Sequence, residues 1–119
     1  MKVERFNLIM SSTWAQIEKL SVHKGHEYSG DKNRLENFER NARALELSPH
    51  TVWAVYAAKH WDSIMQYVKD VEHGHRRELS EPIDGRIDDL ILYLLLFKGI
   101  INDAEEKRNE GNCVRPGNS

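Results

Sequence analysis

The segment that decides the fold is residues 80–94, SEPIDGRIDDLILYL. Its beginning is typical of a helix start, because Ser80 can cap free backbone N–H groups and Pro82 fits the first helical turn. Apolar side chains then recur at intervals of three and four residues, and this spacing predicts one buried helix face. The residues of that face are Ile83, Ile87, Leu90, Ile91 and Leu94.

Acidic residues border the buried face. Asp84 and Asp88 are four positions apart and Glu81 lies one turn earlier, so these side chains share one side of the helix. Carboxylates aligned beside a core are unfavourable unless a divalent metal ion, or a buried Lys or Arg, compensates their charge. Acids in a first turn also complement the helix dipole, and this alternative explains Glu81 and Asp84 without any function. It does not explain Asp88 and Asp89, which lie in the second turn.

The composition restricts the class of protein. A chain of 119 residues is long enough for one domain. Its net charge of −2 means that no broad positive field attracts nucleic acid or anionic membranes. The single cysteine, Cys113, cannot form a disulfide within the chain and does not indicate an oxidising compartment. The longest apolar run, residues 90–97, is too short to span a bilayer, and no signal peptide is recognisable. We therefore expect a soluble cytoplasmic protein that binds neither nucleic acid nor membranes.

Helical periodicity and capping signals predict four helices. Asp31 can cap the second helix after a glycine-containing loop at residues 23–31, and Ser48 with Pro49 can begin the third. No segment alternates apolar and polar residues as a strand would. The predicted helices cover residues 3–21, about 32–45, 49–71 and 82–107.

Short connections between these helices predict an all-α fold, an antiparallel four-helix bundle formed by residues 1–107. Residues 108–119 have the composition of a disordered tail. A helix that is apolar all round should be buried on all sides, and one small bundle does not supply enough neighbours. We therefore expect a homo-oligomer, because the fourth helix is apolar beyond its buried face at Leu92, Leu95, Leu96 and Phe97.

The third helix carries Lys59 and His60 on an otherwise apolar side. A single lysine in such a place usually extends to the surface, and a single core histidine is usually structural. The adjacent pair is more suggestive, because Lys59 could bind phosphate oxygens while His60 hydrogen-bonds a base, a sugar or a carboxylate.

The second helix and the loop before it contain further candidates. Glu36 and Glu39 share a face and could bind a metal ion, although Arg40 and Arg43 make a salt-bridged surface the default interpretation. Asn37 could read the edge of a base. The loop adds a cation, an imidazole and a phenol, on Lys24, His26 and Tyr28.

Four patches of the sequence, taken in order, resemble small phage-type proteins of the nucleotide-modification-associated kind. They are residues 24–30 (KGHEYSG), 37–38 (NF), 59–60 (KH) and 81–88 (EPIDGRID). Those proteins are similar to the all-α nucleoside triphosphate pyrophosphohydrolases of the MazG and dimeric dUTPase superfamily. The resemblance implies a helical, oligomeric protein of phage nucleotide metabolism, located in the cytoplasm of an infected bacterium. It also implies Mg²⁺-dependent cleavage of a nucleoside triphosphate to a monophosphate and pyrophosphate.

The metal motif of this superfamily, E-x-x-E on one helix and E-x-x-D on another, is matched only in part. Asp88 corresponds to the closing aspartate, while Gly85 stands at the glutamate position and Asp84 precedes it. The third helix has KHWD at residues 59–62 where E-x-x-E is expected. The two glutamates of the second helix have the E-x-x-E spacing, one helix too early.

The enzyme hypothesis assigns these residues to roles. Mg²⁺ would bridge phosphate oxygens, a carboxylate would activate the attacking water, and cations would neutralise phosphate charge. The predicted catalytic residues are Glu81, Asp84 and Asp88, and the predicted metal ligands are Glu36, Glu39, Asp84 and Asp88. The predicted substrate-binding residues are Lys24, His26, Tyr28, Asn37, Lys59, His60 and Arg86.

Two other functions compete with the enzyme hypothesis. A non-catalytic module on the same fold would bind a nucleotide or a nucleotide-like signal. A structural protein would instead expose tryptophans as a packing face, from among Trp14, Trp53 and Trp61.

For either nucleotide hypothesis we expect one polar pocket between the third and fourth helices. Asp84, Asp88 and Lys59 should face it, with His60 and Glu81 at its edge. Lys59 would pair with Asp84 or Asp88 when no ligand is bound.

Overall fold

The computed structural model describes residues 1–28, 32–75 and 82–113, with the backbone alone for residues 25–28 and 112–113. These described residues contain four helices and no strand, which confirms the predicted all-α class. No helix within them is long and apolar enough to cross a membrane. The helices are α1 (Val3–Tyr28), α2 (Glu36–Leu45), α3 (Pro49–Glu72) and α4 (Ile83–Cys113).

The first helix is longer than the periodicity predicts. The sequence predicts a helix over residues 3–21 and a loop over 23–31, whereas α1 continues through Gly25 to Tyr28. The loop prediction is therefore wrong for residues 23–28, and residues 29–31 lie outside the described residues. A glycine inside a helix costs about 1 kcal/mol relative to alanine, and tertiary contacts of the same turn can offset that cost. Lys24 makes such a contact with α4.

The third helix begins as predicted. Ser48 has an extended backbone, its Oγ accepts a hydrogen bond from the Thr51 N–H at 3.2 Å, and Pro49 occupies the first helical position. The helix ends where Gly74 adopts a φ of 68°, a left-handed conformation that glycine enters without a steric penalty. The start of the second helix differs from the prediction. This helix begins at Glu36, after Leu35, and not directly after Asp31. Asp31 itself lies outside the described residues.

The fourth helix ends later than expected. It continues to Cys113 instead of ending near residue 107, so the tail predicted from residue 108 is helical over 108–113. Residues 104–108, AEEKR, are strong helix formers, and their propensity prolongs the helix beyond the last apolar positions. The predicted cap of α4, Ser80, lies outside the described residues.

The core is centred on the antiparallel pair of α3 and α4. The Trp53 indole stacks on Phe97 with ring centroids 4.2 Å apart, and its Nε1–H donates to the Tyr93 backbone oxygen at 2.7 Å. His60, further along α3, contacts Tyr93, which lies earlier in α4, so the two helices run in opposite directions. The second helix covers one end of the pair, where the buried side chains are Phe38, Ala42, Val52 and Ile100.

The molecule is elongated, and the first helix is covered by the rest of the chain only in part. Its second half packs against α4, with Ile17 buried, whereas residues 1–12 are all exposed. The radius of gyration is 18.5 Å, and the molecule measures 64 × 36 × 25 Å. A compact domain of this length would have a radius of gyration of about 13.5 Å.

Candidate functional site

The buried carboxylate at the start of α4 belongs to Asp89. This residue is 7% exposed, and its Oδ1 accepts a 2.8 Å charge-assisted hydrogen bond from the Lys24 ammonium of α1. A carboxylate in this position needs an opposite charge, because an unpaired buried charge is strongly unfavourable. A lysine therefore compensates a buried acid of α4, but the pair is Lys24 with Asp89 and not the expected pair of Lys59 with Asp84 or Asp88.

Two further carboxylates lie beside this ion pair on α4. Asp84 is exposed and Asp88 is partly buried. Burial raises the pKa of Asp88 above its ordinary value, and the negative charges of Asp84 and Asp89 raise it further. This group of carboxylates therefore favours a proton or another cation at Asp88.

Lys59 does not occupy the predicted pocket. It is exposed, and its Nζ lies 5.8 Å from the centroid of the Tyr56 ring in the same helix. Among the described residues it forms no ion pair with Asp84 or Asp88. The expectation that Lys59 pairs with Asp84 or Asp88 is therefore wrong for the single chain. The Lys59 side chain extends to the surface, which is the usual position of a single lysine on an apolar helix side.

His60 lies where a ligand-binding residue was expected, but with a different neighbour. Its partly buried ring contacts Tyr93 at a centroid distance of 4.5 Å. Tyr93 follows Asp89 by one helical turn, about 6 Å along α4. Lys24 of α1 and His60 of α3 therefore converge on one stretch of α4, and we call Lys24, His60, Asp89 and Tyr93 the junction cluster.

Arg34, which the sequence analysis did not single out, lies near the junction cluster. Burial lowers the pKa of Arg34, and electrostatic interaction with Tyr93 acts in the opposite direction. Its Nε is buried and has no hydrogen-bond partner in the described part of the chain. The only signal in the sequence was a basic residue next to the apolar Leu35, which is too common to carry an assignment.

Two more buried polar atoms lack partners within the described ranges. They are Nε of Arg86, one of the predicted substrate-binding residues, and Oγ of Ser63 on α3. An unsatisfied buried polar atom costs about 1–3 kcal/mol, so in a native protein it calls for a water, an ion or a ligand. The Arg86 Nε–H and the Ser63 hydroxyl thus each have hydrogen-bonding capacity that the described residues do not use.

A second buried acid, Asp70, lies near the end of α3. It is 7% exposed and its Oδ1 accepts a hydrogen bond from Gln66 at 3.1 Å, while its backbone oxygen accepts from the His75 N–H at 2.9 Å. The backbone contact closes the end of α3, and the contact with Gln66 holds the carboxylate against the same helix. Periodicity did not single it out, because one acid near a helix end is ordinary.

The glutamates predicted to bind metal form a salt-bridged surface, as the default interpretation predicted. Asn33 Nδ2 donates to Glu36 Oε2 at 3.3 Å and to Glu39 Oε2 at 3.0 Å. Arg43 binds Glu36 at 3.2 Å, and Lys107 Nζ lies 3.8 Å from Glu39 Oε1. Both carboxylates are thereby compensated within the protein.

These glutamates also lie far from Asp88. Lys107, beside Glu39, forms a 3.1 Å ion pair with Asp103, which is fifteen residues beyond Asp88 and hence about 22 Å along α4. One chain does not bring the four predicted metal ligands together. Within residues 1–28, 32–75 and 82–113 there is no group of three His, Cys, Asp or Glu side chains that could hold a metal ion.

The remaining predicted site residues are only partly visible. Asn37 is partly buried, and both its backbone oxygen and its Oδ1 accept hydrogen bonds from Asn41, which also contacts the Tyr56 hydroxyl. His26 and Tyr28 belong to α1, where the backbone alone is described. Glu81 lies outside the described residues.

Comparisons with known proteins add no assignment. Searches against protein-family models, curated proteins and solved structures found no match. The resemblance to the MazG and dimeric dUTPase superfamily stays a prediction from four short patches. The function must therefore be inferred from the contacts of the residues themselves.

Proposed function

We propose that this protein binds a nucleotide, or a nucleotide-like phosphate compound, at the junction cluster without cleaving it. One observation carries the proposal. Lys24 and His60, two predicted substrate-binding residues from separate parts of the sequence, contact α4 within one helical turn of each other. An ammonium beside paired aromatic rings suits a ligand that combines a phosphate with a base.

The side chains of the cluster have complementary roles. The Lys24 side chain is 26% exposed and its ammonium has three N–H donors, so it can bind a phosphate oxygen while it keeps its hydrogen bond to Asp89. The rings of His60 and Tyr93 offer a surface on which a base can stack, an interaction worth about 1–3 kcal/mol per base. Arg34, within electrostatic reach of Tyr93, supplies a second cation for the phosphate.

A Mg²⁺-dependent pyrophosphohydrolase is the second candidate, and a different observation favours it. Asp88 is partly buried beside Asp84 and Asp89, and their charges raise its pKa. A bound cation would relieve this repulsion, and Mg²⁺ is often held by one or two carboxylates together with substrate phosphates. Mg²⁺ would neutralise phosphate charge there. Glu36 and Glu39 have no part in this version, since their compensated carboxylates lie at the other end of α4.

The proposed origin, location and oligomeric state of the protein are inferred from the sequence. The resemblance favours a phage-encoded protein that acts on nucleotides in the cytoplasm of the host. The apolar fourth helix favours a homo-oligomer. Both statements are part of the proposal.

Calorimetric titration with a nucleotide panel tests both candidates. The panel includes ribo- and deoxyribonucleoside mono-, di- and triphosphates and cyclic nucleotides, each with Mg²⁺ and with a chelator, and pyrophosphate release is assayed in parallel. Saturable binding without product supports the first candidate, and Mg²⁺-dependent pyrophosphate release supports the second. If no member of the panel binds and none is cleaved, both candidates fail.

The variant Asp88→Asn separates the two candidates. A pure binding site gains or keeps affinity for an anionic ligand when this negative charge is removed, whereas a hydrolase loses its Mg²⁺-dependent turnover. Lys24→Met then locates the site, with Lys19→Met as its matched control, because Lys19 is an exposed lysine of the same helix. Binding that is weakened equally by both lysine variants would place the ligand elsewhere.

A further inference from the structure

A cleft lies between the segment before α2 and the second half of α4, and we call it the Arg34 cleft. It is open to solvent and has a volume of about 550 Å³. Sites for small molecules usually have volumes of about 300–1,000 Å³. The side chains of Leu35, Leu95 and Leu96 form its apolar wall, and no side chain of the junction cluster lines it. The cleft is therefore a separate space with room for a small organic molecule.

Arg34 lines this cleft, and its guanidinium has no acceptor within the protein. The residue is partly buried, and it makes no side-chain hydrogen bond or ion pair with any of the described residues. A guanidinium has five N–H donors in a planar fork that fits the oxygens of a phosphate or a carboxylate. A partly buried cation without an opposite charge is unfavourable, so Arg34 favours a bound anion.

The neighbouring residue Asn33 holds the turn that carries Arg34. Its Oδ1 accepts a hydrogen bond from the Leu35 N–H at 3.0 Å, and its Nδ2 donates to Oε2 of Glu39 at 3.0 Å. The backbone on which Arg34 lies is thus fixed against α2 before any ligand arrives. Fixing a binding group in advance lowers the entropy that is lost on binding.

Gly99 keeps part of the cleft wall free of side chains. A glycine inside a helix is less favourable than an alanine. An added Cβ at this position would fit, because the nearest atom that it meets is Leu35 Cδ2 at an ordinary contact distance of 3.8 Å. The packing of α4 therefore does not require a glycine here. What the glycine does is leave space in the cleft.

The charges around the cleft match a doubly charged anion. Lys32 and Lys98 are exposed cations that line it together with the arginine, and neither forms an ion pair among the described residues. Of the two acids in the lining, Asp103 is paired with Lys107 at 3.1 Å, which leaves Glu106. Three cations against one remaining acid leave an excess of two positive charges. A phosphate monoester carries close to two negative charges at pH 7.

We propose that the Arg34 cleft binds a small organic phosphate monoester, with the phosphate against the cations and the carbon body against the leucine wall. A carboxylate has one negative charge and would compensate only half of the excess. Inorganic phosphate would leave the leucines in contact with water. Binding in the cleft goes beyond the nucleotide site and does not depend on it, although Arg34 lies near Tyr93 and is used in both.

Calorimetric titration with butyl phosphate tests this assignment. Butyl phosphate combines a phosphate with a short carbon chain, and it has no base to stack on the rings of the junction cluster. The wild-type protein should bind it saturably and about tenfold or more tightly than inorganic phosphate, because the chain adds buried apolar surface. Pentanoate, which has the chain but one charge, should also bind more weakly. Equal affinities for butyl phosphate and inorganic phosphate would mean an adventitious ion only and would overturn the assignment.

Two variants alter the cleft in different ways. Arg34→Met removes a charge that has no partner, so the fold should persist while the affinity for butyl phosphate falls about tenfold or more. Gly99→Leu places a side chain in the cleft without changing any charge and should abolish binding. Arg40→Met is the matched control, because Arg40 is exposed on α2 and does not line the cleft. Circular dichroism verifies the helices of each variant, and an equal loss of binding in the control would show unspecific attraction and contradict the cleft site.

Amide chemical shifts of the wild-type protein locate the ligand. Butyl phosphate should shift the resonances of Leu35 and Gly99 and leave those of Lys24 and Asp89 in place. The reverse pattern would put the phosphate at the junction cluster, which would overturn the cleft site and support the nucleotide site. A wild-type protein without saturable binding of butyl phosphate would overturn the cleft site whatever the nucleotide panel shows.

Discussion

The two ends of α4 both carry acidic groups, but in different electrostatic situations. At the amino-terminal end, Asp84, Asp88 and Asp89 lie together, and the pKa of Asp88 is raised by burial and by its two acidic neighbours. At the carboxyl-terminal end, the pKa of Lys107 is raised by its hydrogen bond to Asp103 and by the charges of Asp103 and Glu39. Both shifts are upward, yet they have opposite meanings.

A raised pKa of a base reports a favourable charged state, whereas a raised pKa of an acid reports an unfavourable one. At the carboxyl-terminal end, Lys107 therefore compensates the carboxylates of Asp103 and Glu39 within the protein. Within the described residues, the amino-terminal end carries Asp84, Asp88 and Asp89, and Lys24 pairs with Asp89. The repulsion at Asp88 makes this end the better place for a cation.

The largest expected effect comes from breaking the ion pair at the amino-terminal end. Lys24→Met leaves the 7% exposed Asp89 carboxylate without this partner and should lower the free energy of unfolding by about 2–4 kcal/mol. Urea denaturation monitored by circular dichroism measures the loss. Lys19→Met, an exposed substitution in the same helix, should change the stability by less than about 0.5 kcal/mol.

A double variant tests whether the loss comes from the unpaired charge. Lys24→Met combined with Asp89→Leu removes both charges, and replacing a buried pair by apolar groups is often neutral or stabilising. The double variant should therefore be more stable than Lys24→Met alone. If it is less stable, the lysine acts through packing of its aliphatic chain instead of through its charge.

A smaller effect of opposite sign is expected from Asp88→Asn. Because the folded state raises the pKa of Asp88 above 3.8, the native protein binds more protons than the unfolded chain just above that pH, and stability falls as pH rises through this window. The variant should be more stable than the wild type above the raised pKa. The two should converge as the pH approaches 3.

Thermal melts from pH 3 to pH 8 measure this difference. A wild-type protein more stable than Asp88→Asn at neutral pH would mean that the carboxylate makes a favourable contact, and the amino-terminal end would then resemble the other end of α4. Added nucleotide sharpens the result, since a bound anion should increase the stability advantage of the variant further.

The fold was predictable where local chemistry determines it. The cap formed by Ser48 and Pro49 begins α3 as expected, because a hydroxyl acceptor and a fixed φ act within one turn. The end of α1 was not predictable in this way. The glycine at position 25 suggested a loop, but the contact between Lys24 and Asp89, 65 residues apart, belongs to tertiary structure and leaves no local signal.

The site was predictable only as a set of residue types. The sequence predicted that a metal ion, or a buried Lys or Arg, would compensate acids of α4, and Lys24 does so for Asp89. Lys24 was predicted to bind phosphate and not to pair with an acid. Which lysine meets which acid was not inferred, because a rotation of one helical position exchanges Asp88 for Asp89 at the buried face. Arg34 was missed, since its proximity to Tyr93 depends on how the segment before α2 lies against α4.

The smallest expected effect belongs to the carboxyl-terminal end. Lys107→Met removes an exposed ion pair and should lower the free energy of unfolding by no more than about 1 kcal/mol at low salt. The contribution of Lys107 is present at any pH below 10.5 and is lost as the pH rises through its raised pKa. Concentrated sodium chloride should abolish the stability difference between Lys107→Met and the wild type, because salt screens exposed charges. The stability loss in Lys24→Met should persist in salt, because the pair of Lys24 and Asp89 is mostly buried. If salt abolished both losses alike, the two ends of α4 would be electrostatically equivalent, and the amino-terminal end would have no special capacity for a ligand.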